Sequence, residues 1–169
     1  VIAGGEQMDM IAQIAAESAI RRAIYRYCRG VDRGDATMIA SVYHADADEN
    51  HGPFRGTGQE FAAMLVPLMD QAPGVGGHHV TNILIDLNEG GTAANAESYF
   101  IAFHPLDDGQ RAFVTGRYID RFEQRGGEWK IAQRHVIIDS DTPPGGAMAL
   151  EGYPRGGRRT DDFSHGWIA

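Results

Sequence analysis

Apolar residues recur at intervals of three and four along the first part of the chain. Ile20, Ala23, Ile24, Tyr27, Cys28 and Val31 fall on one stripe of an amphipathic helix predicted from Asp9 to Val31. Asp9 fits its N-cap and Gly30 its stop. A second, short helix is predicted to start at Asp35 as N-cap and to run through Met38, Ile39, Val42 and Tyr43. The connection from Gly30 to Gly34 is then a tight helix-to-helix turn, with Asp32 in it. Beyond the acidic positions Asp46, Asp48 and Glu49, the run His51-Gly52-Pro53 and the glycines Gly56 and Gly58 predict short strands or loops. A third helix follows from Gln59 to about Gln71, made irregular by Pro67.

From Gly77 onward the helical period gives way to long alternating or apolar runs, at 78–88, 92–104, 111–124 and 128–140. Glu89-Gly90-Gly91, Asp107-Asp108-Gly109 and Gly126-Gly127 separate them, and these are residues of hairpin connections. The expected sheet is an antiparallel meander. Helices first and a long sheet afterwards is an α+β arrangement with the helices covering one face, and a sheet of this length curls around them and leaves a cavity. Residues 1–142 are expected to form this single domain. The segment 143–169, rich in Gly and Pro, carries Arg155, Arg158 and Arg159 beside Asp161 and Asp162. It is predicted to be irregular, with Phe163, Trp167 and Ile168 as anchors.

Composition narrows the function classes. A chain of 169 residues with 43% hydrophobic and 22% charged residues fits one globular domain and leaves no room for a separate cofactor module. Its 15 basic residues against 23 acidic ones give a net charge of −8, which argues against nucleic acid as a partner. No stretch approaches the roughly 20 apolar residues that span a bilayer. The opening VIAGGEQMDM lacks the basic start and apolar run of a signal peptide, so a soluble, cytoplasmic chain is expected. A single cysteine, Cys28, forms no internal disulfide and no multi-cysteine metal site.

The phosphate-loop, zinc-protease and serine-hydrolase signatures are missing from the sequence. What stands out is polar residues at positions where the pattern expects apolar ones. Tyr27 lies on the buried stripe of the first helix, where its hydroxyl needs a partner. Asp32 reads either as a turn residue or as a carboxylate able to orient a histidine base. His78 and His79 open the first long strand. Strict alternation groups His79 with Ile83, Ile85 and Leu87 and buries it, whereas a bulge near the strand start would bury His78 instead. Arg134 shares a face with Ala132, Val136 and Ile138, so its guanidinium requires an anion, either a structural carboxylate such as Asp120 or a substrate oxygen. His104, on a face with Phe100 and Ala102, is a second candidate acid, and His51 suits a pocket mouth. Phe61, Phe100, Phe103 and Tyr118 are candidate aromatic lining. His44, His135 and His165 read as structural or solvated, and no spacing demands a metal.

Three segments, AIYRYCRGVDRGD (23–35), HHVTNILID (78–86) and VTGRYIDRFEQRGGEWKIAQR (114–134), together resemble the SnoaL-like branch of the nuclear-transport-factor-2-like superfamily. The most specific points are Tyr-x4-Asp at Tyr27 and Asp32, His-x3-Asn at His78, and the Gly-Arg-Tyr strand followed by Trp-Lys. The resemblance implies a cone-shaped sheet wrapped around three helices. It also implies kinship with cofactor-free lyases, commonly trimeric, in which an Asp–His pair is the catalytic centre. Asp32 and His78 match that pair, Tyr27 matches a catalytic tyrosine, and Arg134 an arginine lining the pocket. His104 falls loosely where a second histidine occurs. The resemblance thus favours His78 over His79, which stays a candidate substrate contact. The expected activity is a lyase, or an isomerase, acting without cofactor on a small hydrophobic cyclic substrate, in a homo-oligomer (trimer or dimer). The alternatives are a non-catalytic subunit like the small subunit of ring-hydroxylating dioxygenases, or a polyketide cyclase, since both also belong to the superfamily.

Overall fold

The computed structural model describes residues 9–142, 152–154 and 159–167. Its first helix, α1 (Met10–Asp32), buries Ala16, Ile20, Ala23, Ile24, Tyr27, Cys28, Gly30 and Val31, the stripe that the spacing predicted. Asp9 is at the N-cap position but makes no capping bond with its side chain. The sequence places the stop at Gly30, but Gly30 does not end the helix. The helix runs two residues further, to Asp32, and Gly30 instead admits the next helix. A Cβ there would lie 2.9 Å from the Ile39 side chain and 3.0 Å from its backbone nitrogen. Asp32 is therefore the last residue of α1 rather than a turn residue, and the left-handed turn position is Gly34, at φ 63°.

Asp35 caps α2 (Ala36–Ser41), its Oδ1 accepting the Met38 N–H at 2.8 Å. This helix is shorter than predicted, and Tyr43 already belongs to a strand. In α3 (Gly58–Met69), Thr57 and Glu60 form a reciprocal capping box, and Pro67 lies inside the last turn.

Six strands build one sheet: β1 (Tyr43–His51), β2 (Phe54–Gly56), β3 (Gly77–Leu87), β4 (Ala93–Pro105), β5 (Arg111–Arg125) and β6 (Glu128–Thr142). Their order is β2-β1-β6-β5-β4-β3. The last four make the predicted antiparallel meander. The correction lies at β1, a nine-residue strand in the acidic segment that pairs parallel to β6, so that the sheet is mixed. Its inward positions hold Tyr43, Ala47, Glu49 and His51, a set too polar to register as a half-buried strand.

The sheet is curved and unclosed, and its inner face packs on the helices around Ile20, Ile24, Tyr27, Ile39, Phe61, Tyr118, Phe122 and Ile131. Two pieces of the C-terminal segment are tied back onto it. The Ile138 N–H donates to the Pro154 carbonyl at 3.0 Å. Arg117 holds Asp162 with two bonds of 2.9 and 2.7 Å, and Asn95 donates to the Trp167 carbonyl at 2.8 Å. Phe163 lies against His135, with ring centroids 5.0 Å apart. The anticipated roles of Arg155, Arg158 and Ile168, and of the Arg159 side chain, fall outside the described residues. No helix among the described residues is long and apolar enough to cross a membrane.

Candidate active site

The end of α1 and the start of β3 meet at Asp32 and His78. His78 Nδ1 lies 2.7 Å from Asp32 Oδ1, and the His78 backbone N–H donates to Asp32 Oδ2 at 3.1 Å. Both carboxylate oxygens are thus engaged by one residue, which fixes the imidazole in place. A ring that donates Nδ1–H to a carboxylate presents Nε2 as its acceptor. The two side chains are only 12% and 14% exposed.

His78 rather than His79 turns inward because the β3–β4 register shifts between Val80 and Ile83. Before this irregularity His78 and Val80 face the helices, and after it Ile83, Ile85 and Leu87 do. Alternation extrapolated back from the apolar end therefore buries the wrong histidine. His79 is exposed and stacks on Phe103 on the outer face, with centroids 5.8 Å apart.

A cavity of about 260 Å³ opens between sheet and helices, with Tyr27, His51, Phe61, His78, Phe100, His104 and Tyr118 in its wall. The remaining lining is mainly aliphatic, including Val31, Leu65, Val136 and Ile138. Two expected contacts are absent from it, His79 and Phe103. Along β4 the inward parity belongs to Phe100, Ala102 and His104, which sends Phe103 to the outside against Phe113.

Burial tunes this lining. It pushes the hydroxyls of Tyr27 and Tyr118 well above the ordinary tyrosine value, so both keep their protons and are able to donate. It lowers His104 to about 4, helped by the neighbouring His78 ring 5.8 Å away. His104 is thus favoured in its neutral form by burial. It remains a neutral polar contact in the wall. Cys28 is buried beside Tyr27, and its thiol is pushed up to about 12, leaving it unreactive.

Arg134 is not in the cavity wall. It is fully buried behind Tyr27 and Tyr118, its Nε and Nη2 donating to Asp120 Oδ1 and Oδ2, both at 2.7 Å. The guanidinium carbon lies 4.2 Å from the Tyr27 ring centroid and 4.3 Å from that of Tyr118. Burial opposes its charge, but the Asp120 carboxylate holds it. Of the two partners expected from sequence, the structural carboxylate is the one present, and Arg134 braces two tyrosines instead of facing a substrate.

Two features of the cavity escaped sequence reasoning. Glu49, fully buried, places Oε1 at 2.9 Å from His51 Nδ1. Their spacing of two residues in a strand, which sends both side chains to one face, was the available signal. Tyr153 is the second feature, and its distance along the chain gave no warning of it. It lies in the cavity wall edge-on to His51 and directly over Gly52, where a Cβ would sit 2.4 Å from its ring. Among the described residues no group of three or more His, Cys, Asp or Glu side chains is arranged to hold a metal ion.

A SnoaL-like domain is recognised over residues 12–135. Comparison with curated protein sequences gives no significant match. Among solved structures, a protein of Novosphingobium aromaticivorans provisionally named a scytalone dehydratase is 22% identical with a TM-score of 0.77, over 89% of this chain and 100% of that one. The hexachlorocyclohexane dehydrochlorinase of Novosphingobium barchaimii is 22% identical with a TM-score of 0.72, over 82% and 97%. The beta subunit of a provisionally named aromatic-ring-hydroxylating dioxygenase of N. aromaticivorans is 21% identical with a TM-score of 0.65, over 83% and 95%. At these identities the likeness concerns the fold.

Proposed function

The chain belongs to the SnoaL-like domain family, and from that premise we propose that it is a cofactor-independent lyase, or an isomerase, for a small hydrophobic cyclic molecule. The observation that carries the proposal is the Asp32–His78 pair, at 2.7 Å, whose His78 stands in the wall of a mainly apolar cavity. His78 Nε2 takes a proton from a carbon next to an activating carbonyl, and Asp32 stabilises the imidazolium that forms. A positioned base of this kind contributes about 10²–10⁴-fold. The Tyr27 hydroxyl, kept protonated by burial, donates to the oxygen on which charge develops, a contact worth roughly 2–4 kcal/mol where oxyanion donors have been removed. Arg134 acts through others, as a positioning residue whose ion pair keeps Tyr27 and Tyr118 in place.

A subunit role of the dioxygenase kind needs no such pair. The exposed Leu84, Tyr99, Ile101 and Phe113 on the outer face of β3, β4 and β5 do suit contact with another chain, and we take that chain to be a second copy in a dimer or trimer. The catalytic reading is tested by following the loss of α-protons of cyclohexanone in deuterium oxide by proton NMR. The intact chain is expected to accelerate exchange, and His78→Ala and Asp32→Asn to slow it at least about 100-fold while circular dichroism stays unchanged. Undiminished exchange in His78→Ala refutes the assignment.

A further inference from the structure

We propose that Glu49 and His51 form a second proton-transfer pair in the same cavity, which protonates a leaving hydroxyl while His78 removes the carbon-bound proton. The inference rests on the reading of His78 as the base and extends it to the other half of an elimination.

Four observations support it. His51 and His78 both line the cavity, yet they are mounted on strands at opposite flanks of the sheet: β1 is next to one edge and β3 is the other edge. The curved sheet thus presents two imidazoles to one bound molecule from different sides. Each imidazole is held by a carboxylate at Nδ1, at 2.9 Å for His51 and 2.7 Å for His78, so that each turns its remaining nitrogen, Nε2, away from its carboxylate. Next, Glu49 is fully buried, and a buried carboxylate requires a cation or a proton beside it. The nearby Arg134 gives Nε and Nη2 to Asp120 at 2.7 Å each and Nη1 to the Tyr43 hydroxyl, and it is His51, 2.9 Å from Oε1, that bonds the Glu49 carboxylate. Finally, the His51 ring is clamped between Phe61, stacked at 4.4 Å, and Tyr153, edge-on at 5.7 Å. An imidazole serving only to satisfy Glu49 would need no place in the cavity wall.

The chemistry then selects the leaving group. His78 Nε2 takes the proton from the carbon next to the carbonyl, and the electron pair of that C–H bond becomes the second bond of the alkene. The C–O bond at the neighbouring carbon breaks, and its oxygen takes a proton from His51 Nε2 and departs as water. The proton gained by His78 returns to His51 through solvent, which restores both residues. Hydroxide leaves poorly without a proton, whereas halide and nitrophenolate need none. A paired donor opposite the base therefore fits a cyclic β-hydroxy carbonyl compound and loss of water.

The test compares 3-hydroxycyclohexanone with 3-(4-nitrophenoxy)cyclohexanone, both eliminating to cyclohexenone, in the intact chain and in the variants His51→Gln, Glu49→Gln and His78→Ala. His51→Gln retains an amide to bond Glu49, and Glu49→Gln removes the buried charge, so the two variants probe the pair by independent routes. Urea unfolding verifies each. The ratio of the hydroxy rate to the nitrophenoxy rate is expected to fall about 100-fold in His51→Gln and Glu49→Gln, while His78→Ala lowers both rates and keeps the ratio. An unchanged ratio in the folded His51 and Glu49 variants overturns the proposal. So does an intact chain that exchanges the α-protons of cyclohexanone but releases no water from 3-hydroxycyclohexanone. Failure of the intact chain to exchange cyclohexanone at all refutes the underlying assignment of His78 instead.

Discussion

Replacing Arg134 by Met separates a bracing role from a role at the substrate. Met fills much of the same volume but leaves the Asp120 carboxylate, fully buried, without its partner at 2.7 Å. Breaking a buried pair from one side costs about 3–5 kcal/mol. The guanidinium also stacks on the rings of Tyr27 and Tyr118, and such contacts contribute about 0.5–2 kcal/mol each. Burial already pushes the Asp120 carboxyl upward, so the orphaned acid takes up a proton more readily and recovers part of this cost. A net loss of roughly 4 kcal/mol is expected, which at about 2–4 °C per kcal/mol for a chain of this size lowers Tm by roughly 8–16 °C. Urea unfolding followed by circular dichroism measures it. The double variant Asp120→Leu/Arg134→Met should regain most of the loss, because removing both charges removes the desolvation cost with the attraction. If Arg134→Met unfolds within about 1 kcal/mol of the parent and yet loses all turnover, the bracing argument is wrong and the guanidinium acts on the substrate.

Two further perturbations probe the cavity and the frame around it. His104 stands at about 4 against an ordinary 6.5, through burial first and the nearby His78 second, so the unfolded chain protonates before the folded one. Its contribution to stability is complete above about pH 6.5, drains away as the pH falls toward 4, and amounts at most to roughly 3 kcal/mol. Urea midpoints between pH 7 and 4 should fall less steeply in His104→Phe, and an unchanged slope would contradict this. In Gly30→Ala the new methyl meets Ile39 at 2.9 Å, and a loss of about 1–3 kcal/mol in the same assay is expected. A neutral result would mean that α1 and α2 can separate freely.

Local periodicity made the helices and the meander readable from sequence, because apolar stripes and hairpin turns are short-range features. Where the outcome depended on distant partners, it was not readable. β1 was hidden because Glu49 and His51 occupy its inward positions and its ladder partner, β6, lies far along the chain. The choice between His78 and His79 turned on a register shift that leaves no mark in the sequence. Arg134 was correctly placed on the inner face, but a face does not name a partner, and Asp120 and a substrate oxygen were equally open. Phe103 is different. Its odd position beside Phe100, Ala102 and His104 already assigned it to the outer face, and parity along β4 was sufficient to exclude it.

The parallel pairing of β1 with β6 also orders events in time. Asn50 and His135, joined by a hydrogen bond across those strands, are 85 residues apart, whereas β3 to β6 succeed one another through short turns. Closing the larger loop is entropically dearer and slower, so the meander is expected to assemble first and β1 to dock last. The wall that carries His51 is thus the final part of the cavity to exist, and a molecule held between His51 and His78 binds only the finished chain. It fastens the last-formed seam, and amide exchange at Glu49 and Asn50 should slow on ligand binding more than exchange in the centre of β4 and β5.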